Sequence, residues 1–164
     1  MAAMMRVGLG YDVHRFGEGD SVTLCGVKIP YHQALVAHSD GDVALHALCD
    51  ALLGAVALGD IGAHFPDTDP KWQGVDSREL LRQVVALLSG AGWCLHNADL
   101  MVIAEAPRLR PHVDIMRELV ASDCGVDIGA ISIKATTNER IGFVGRGEGI
   151  AAQAVVSVGR VEGR

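Results

Sequence analysis

Aromatic side chains are scarce in this chain: Phe, Trp and Tyr make up 4% of its 164 residues, although hydrophobic residues of all kinds reach 49%. A core built from it must be aliphatic and finely packed. Positive charge is also in deficit, with 14 Lys and Arg against 20 Asp and Glu, a formal charge of −6. That excludes nucleic-acid binding through a general electrostatic footprint. It also requires local cations or a metal to hold any anionic substrate. No apolar run reaches about 18 residues, so neither a transmembrane span nor a membrane partner is expected. The N-terminus lacks a secretory pattern. There is no C-x-x-C pair: Cys25, Cys49, Cys94 and Cys124 are scattered, two of them in apolar stretches. Reduced, buried thiols in the cytoplasm fit better than disulfides or a zinc knuckle. With no repeat, low-complexity segment or linker, residues 1–164 read as one domain.

Strands are expected at 6–13, 22–29, 98–104, 131–136 and 150–158, and helices at 40–58, 77–89 and 111–124. Asp76 followed by Glu79 has capping-box spacing for the second helix, and Gly90 supplies its stop. The third helix places Pro111 in its first turn and ends before Gly125. Strands and helices alternate only in the second half, which gives α+β, or α/β with a mixed sheet. The last strand is apolar on both alternating faces and needs either helix cover or a subunit interface. Two long connections, 59–76 and 137–149, are of a size that is often functional.

Two ligand-rich clusters stand in apolar surroundings. Asp12 and His14, at i and i+2, project together from the end of a strand. His38, Ser39, Asp40 and Asp42 open a helix on which Asp42, His46 and Asp50 recur every four residues, a polar stripe on an otherwise apolar cylinder. Asp42 and Asp50 are the expected orienting partners of His46. Asp12, His14 and His46 meeting at a point make a three-ligand metal site with an open position. The set suits Zn²⁺ and equally the Fe(II) triad of oxygenases, and spacing does not decide between them. A closed structural site needs a fourth ligand, for which Asp42, Asp50 and His38 are candidates.

Residues 59–70 space carboxylates for hydroxyls or a cation, or simply for turn geometry. Lys134–Arg140 and the glycine-rich 142–149 offer hydroxyls, basic groups and close backbone approach, a mixture that can hold phosphate oxygens, but they form neither a P-loop nor a dinucleotide fingerprint. The plainer reading is a glycine-rich connection between strands.

With these residues laid out, the chain closely resembles the 2-C-methyl-D-erythritol 2,4-cyclodiphosphate synthase family from about residue 6 to 159. The resemblance rests on GYDVH (10–14), AHSDGDVALH (37–46), GDIG (59–62), FPDTDP (65–70), DSRELL (76–81), KATT (134–137) and GRGEGIA (145–151), in order. Residues 1–4 lie outside it as an extension. It implies a cyclisation in which a 2-phosphate attacks the β-phosphorus of its own cytidine diphosphate and expels CMP. It also implies a mixed sheet with helices on one face, the sheets of a homotrimer meeting around its axis, and active sites between subunits. Zn²⁺ ligands then fall on Asp12, His14 and His46, and an Mg²⁺ or Mn²⁺ ligand on Glu139. His38 and Thr137 stabilise the transition state. Substrate contacts fall on Asp12, His14, His38, Ser39, Asp60, Ile61, Gly62, Phe65, Pro66, Asp67, Thr68 and Asp69. On the cytidine side, supplied by the adjacent subunit, they fall on Ala104, Pro107, Leu109 and Thr136; Thr137, Glu139, Phe143 and Arg146 complete the set, and Phe143, Arg146 and Glu148 fall near the axis. Asn138, Arg140 and Arg110 depart from the usual residues without touching the metal ligands. The rivals are an Fe(II) oxygenase, which needs a β-rich barrel, and a non-catalytic trimeric metal-binding module.

Overall fold

The computed structural model of the chain describes residues 5–161; the expected 1–4 extension lies outside them. β1 (Met5–Gly17) pairs antiparallel with β7 (Gly149–Arg160), and β7 pairs antiparallel with β5 (Trp93–Ile103). β5 in turn pairs parallel with β6 (Ile131–Thr136). With β4 (Ala34–Leu35) at the other edge, the order is β4-β1-β7-β5-β6. The one parallel pair needs a crossover, which α4 (Val113–Cys124) supplies. α1 (Val43–Ala55) packs on β1 and β7, α3 (Ser77–Gly90) on α1 and β5, and α4 on β6. The fold is a mixed α/β arrangement with helices against a mixed sheet. Both sheet edges are open, so the β-barrel that the oxygenase rival needs is not formed among the described residues.

Alternation along β1 explains how the site is positioned. Gly8, Gly10, Asp12 and His14 face α1, whereas Val7, Leu9, Tyr11 and Val13 point away and are exposed. The two glycines let strand and helix backbones touch: a Cβ on Gly10 would sit 1.8 Å from Ala47 O, and one on Gly8 1.8 Å from Ala51 O. Asp12 and His14, further along the same face, thereby reach α1's His46. Gly10→Ala is expected to force the two elements apart, lowering stability by about 1–3 kcal/mol or more and weakening metal binding with it. Denaturant midpoints and a Zn²⁺ titration check this. Gly54→Ala is the control: nothing lies within 4 Å of its new Cβ, and it should be neutral or gain about 0.4–1 kcal/mol.

Several expected elements change. The single strand at 22–29 is a hairpin, β2 (Ser21–Leu24) and β3 (Val27–Pro30), because Cys25 (φ 49) and Gly26 (φ 78) form a two-residue turn. Without Asn or Asp before the glycine, the run looks unbroken. α1 is shorter than 40–58, since Gly41 (φ 80) bars helix before it and Ala57 (φ 60) and Gly59 (φ 86) end it. Asp76 caps α3 by accepting from Arg78 N, but the reciprocal half of the box is missing: Glu79 binds Arg82 and Gln83 instead. The helix also runs through Gly90, and the left-handed residue after it is Gly92 (φ 79). α4 follows a 3-10 turn at Arg110–His112 and stops at Gly125 (φ 66), as expected. β5 begins earlier than residue 98 because a bulge between Leu95 and Asn97 hides its alternation. The long connections hold two short helices, α2 (Ile61–His64) and α5 (Gly142–Gly145).

Candidate metal centre

Three donor atoms converge where β1 meets α1. Asp12 Oδ2 lies 3.0 Å from His14 Nε2 and 3.1 Å from His46 Nδ1. The donor atoms of the three residues all fall within 4.8 Å of one another, and among the described residues no fourth His, Cys, Asp or Glu joins them. The closed structural site is therefore not formed, and an open position remains.

The outer nitrogens fix the direction of each ring. His14 Nδ1 lies 3.1 Å from Gly41 O; a carbonyl only accepts, so the proton sits on Nδ1 and Nε2 is left with its lone pair. His46 Nε2 lies 3.0 Å from both Ser77 Oγ and Ser39 Oγ. The Ser77 hydroxyl donates to the Asp40 carboxylate, leaving its oxygen to accept from His46 Nε2. Neutral rings so oriented aim two lone pairs and a carboxylate oxygen at one point, which is a cation's place. Outer-shell carbonyl and hydroxyl partners are the usual means of orienting metal-binding imidazoles. Burial pushes the Asp12 carboxyl up, but hydrogen bonds and charge from His14 and His46 outweigh it and hold it well below the usual carboxylate range. Burial likewise lowers His14, and the Asp12 hydrogen bond and charge outweigh it and raise it.

The expected orienting partners, Asp42 and Asp50, bond elsewhere. Asp42 caps α1 through Leu45 N and holds the β2–β3 turn through Cys25 N and Gly26 N, at 3.1, 2.9 and 2.7 Å. Asp50 accepts from Ile61 N at 2.7 Å. A shared helix face says which residues align, not what they meet. The partners found, Ser77 and through it Asp40, carry no signal in local periodicity. Ser77→Ala should weaken metal binding about 10–100-fold with the fold intact, as measured by chelator competition, while Ser77→Thr keeps the hydroxyl and most of the affinity.

The donor group opens on a cavity of about 310 Å³ that also takes in His38, Ser39, Ile61, Gly62, Phe65 and Asp67. Phe65 stacks edge-on against Trp72, ring centroids 4.9 Å apart, to wall it. Trp72 had no sequence signal. Asp60 caps α2 through Ala63 N, and Asp69 caps the following turn through Lys71 N, with Pro66 and Thr68 on the exposed loop between. A separate depression gathers Ala104, Pro107, Leu109, Thr136 and Thr137 with Arg108 and Arg110, and shares no lining residue with the first. Glu139 bonds Thr137 beside it, Thr137 Oγ1 to Glu139 Oε1 at 3.4 Å. Phe143 lines a third hollow with Val13, Val36 and Glu148, whose carboxylate pairs with Arg146 at 2.6 Å.

The 2-C-methyl-D-erythritol 2,4-cyclodiphosphate synthase of Pseudomonas aeruginosa (strain LESB58) is 62% identical over 151 residues, 92% of this chain and 96% of the relative. Among solved structures, the bifunctional IspDF of Campylobacter jejuni superposes with a TM-score of 0.94 at 42% identity; 98% of this chain is covered but only 43% of that longer one. A 2C-methyl-D-erythritol-2,4-cyclodiphosphate synthase in its CDP-bound form gives a TM-score of 0.86 at 39% identity, over 93% of this chain and 99% of that one. The family model for the YgbB family matches residues 5–159. The chain belongs to the YgbB family.

Proposed function

We propose that this chain is a cyclising phosphorus–oxygen lyase of isoprenoid precursor biosynthesis by the non-mevalonate route. It converts 4-diphosphocytidyl-2-C-methyl-D-erythritol 2-phosphate to 2-C-methyl-D-erythritol 2,4-cyclodiphosphate and CMP. The observation that carries this is the Asp12–His14–His46 group opening on a cavity beside His38 and the 60–69 segment. Its relatives bear the synthase name, and one holds CDP.

We assign Zn²⁺ to Asp12, His14 and His46, and Mg²⁺ or Mn²⁺ to Glu139; bound there, the cations neutralise the diphosphate and polarise its β-phosphorus. The need is plain from magnitudes. One unit pair of like charges at about 4 Å costs about 1 kcal/mol in water and about 4 at an effective dielectric of about 20, and a protein of formal charge −6 offers no net field against it. The chain's own residues do the rest. Ser39, the α2 backbone from Asp60 to Gly62 and Phe65–Asp69 hold the methylerythritol phosphate. Ala104, Pro107, Leu109 and Thr136 hold the cytidine end. His38 and the Thr137 hydroxyl donate to phosphate oxygens as charge shifts. A 2-phosphate oxygen forms the new bond to the β-phosphorus, the β-phosphorus–oxygen bond to the α-phosphate breaks, and its electron pair leaves on CMP. Nucleophile and electrophile share one molecule, so proximity is already supplied, and no covalent enzyme intermediate is needed.

The chain works as a homotrimer with the two halves of each site on neighbouring copies. Two observations support this: the metal cavity and the Thr137 depression share no residue, and β1 leaves an apolar stripe bare. Four free thiols, three of them buried, support a cytoplasmic setting. The test is CMP release from the diphosphocytidyl substrate by zinc-loaded protein with Mg²⁺ or Mn²⁺ added; protein so loaded that releases none is not this enzyme.

A further inference from the structure

The turn that follows β6 is bent in a way L side chains rarely permit. Glu139 (φ 50) and Arg140 (φ 63) are consecutive non-glycine residues in the left-handed region, a state that persists only where the surroundings impose it. Within the turn, Ile141 N–H closes on Asn138 O at 2.8 Å, and Asn138 Nδ2 donates to Ile141 O at 3.1 Å. Gly145 lies against its back, where a Cβ would sit 2.1 Å from Arg140 C. From the front comes Glu105. Its Oε1 accepts from Asn138 N at 2.8 Å and, at longer range, from Arg140 N at 3.4 Å. Two N–H groups converging this way make a concavity for an anion, and the chain fills it with its own carboxylate. Glu105 is delivered there by the end of β5, stitched to β6 where Ala104 N–H donates to Thr136 O at 3.0 Å.

We propose that Glu105 is a positioning residue: its Oε1 holds the 137–140 turn left-handed, so that the Thr137 hydroxyl and the Glu139 carboxylate are presented together. Inside the turn the two are already linked, since Glu139 N–H donates to Thr137 Oγ1 at 3.3 Å. Only Oε1 takes bonds among the described residues, so the requirement is an acceptor at that point rather than a negative charge. The inference rests on the roles given above to Thr137 and Glu139.

Full-length, zinc-loaded Glu105→Ala and Glu105→Gln are compared with wild type, in turnover and in amide hydrogen exchange. Glu105→Ala should lower kcat about 100-fold, the scale of a misplacement of about 1 Å. It should also raise the Mg²⁺ or Mn²⁺ concentration needed for half-maximal rate, leave zinc content unchanged and expose the Asn138 and Arg140 amides to fast exchange. Glu105→Gln keeps the acceptor and should restore both rate and protection. The proposal is overturned if Glu105→Ala keeps its kcat or its protected amides, or if Glu105→Gln fails alongside it, which would make charge the requirement. Wild-type protein that releases no CMP would defeat the functional reading instead, and amide exchange in the two variants still decides the placement of the turn.

Discussion

His46→Ala is expected to lose bound Zn²⁺ and to lower CMP release by at least about 10²–10³-fold, the scale for removing one preorganised charge-stabilising group, while the assembly stays whole. Of the three proposed ligands only His46 comes from a helix; Asp12 and His14 both come from β1. Alanine therefore leaves a two-ligand strand with nothing across from it, and affinity falls beyond the roughly 10–100-fold that outer partners alone control. The fold has little else at stake in that ring. Asp12 keeps His14 as its partner at 3.0 Å, and the Ser77 and Ser39 hydroxyls that faced Nε2 lie 3.5 Å apart and can meet each other. Melting with and without metal reads this directly. Zn²⁺ at about 1,000 times its Kd stabilises the wild type by about 4 kcal/mol and should leave the variant's midpoint unmoved. A variant that retains stoichiometric zinc, or one that turns over at the wild-type rate without it, would contradict the assignment.

What the sequence showed of this centre, it showed through short-range periodicity. Asp12 and His14 are two residues apart on a strand, and His46 sits on a helix face, so each piece is written locally even though β1 and α1 are far apart in sequence. The same reasoning failed where a side chain's partner is remote. Asp42 and Asp50 share His46's face, yet they spend their oxygens on backbone N–H groups of the β2–β3 turn and of α2. Ser77 orients His46 from 31 residues away, and Glu105 reaches Asn138 across 33. Nothing in spacing encodes such pairs. The elements followed the same division. β6 and the end of α4 carry strong local signals and came out where expected. The hairpin at Cys25–Gly26 and the start of β5 did not, because an unusual turn pair and a bulge break the pattern being read.

The bare face of β1 carries the complementary result: Leu9→Arg should leave the metal centre intact and abolish the assembly. Leu9 is 68% exposed in the single chain, between Val7 at 62% and Tyr11 at 49%, and pairs across the sheet with Val155 at 44%. An apolar stripe from Met5 to Val13, on the side without helices, is a surface made to be covered. The proposed threefold ring would cover it with a different patch of the next copy. Arginine at that point costs the isolated chain no more than about 0.5 kcal/mol, as exposed substitutions do. In the ring it forfeits about 1.5–3 kcal/mol of leucine burial per copy and forces a guanidinium out of water without a partner. Light scattering should find wild type near three times 17.3 kDa and the variant at the mass of one chain. Because Asp12, His14 and His46 all lie within one chain, the variant should still bind Zn²⁺ with near wild-type affinity. It should release no CMP, since in the proposed trimer the Thr137 depression that completes each site would belong to the neighbour. Ile115→Arg, an aliphatic-to-arginine exchange at a 50% exposed position on α4, should leave mass and turnover unchanged. A single-chain Leu9→Arg protein that still turned over would place the whole site in one copy; a variant still assembled would move the interface off β1.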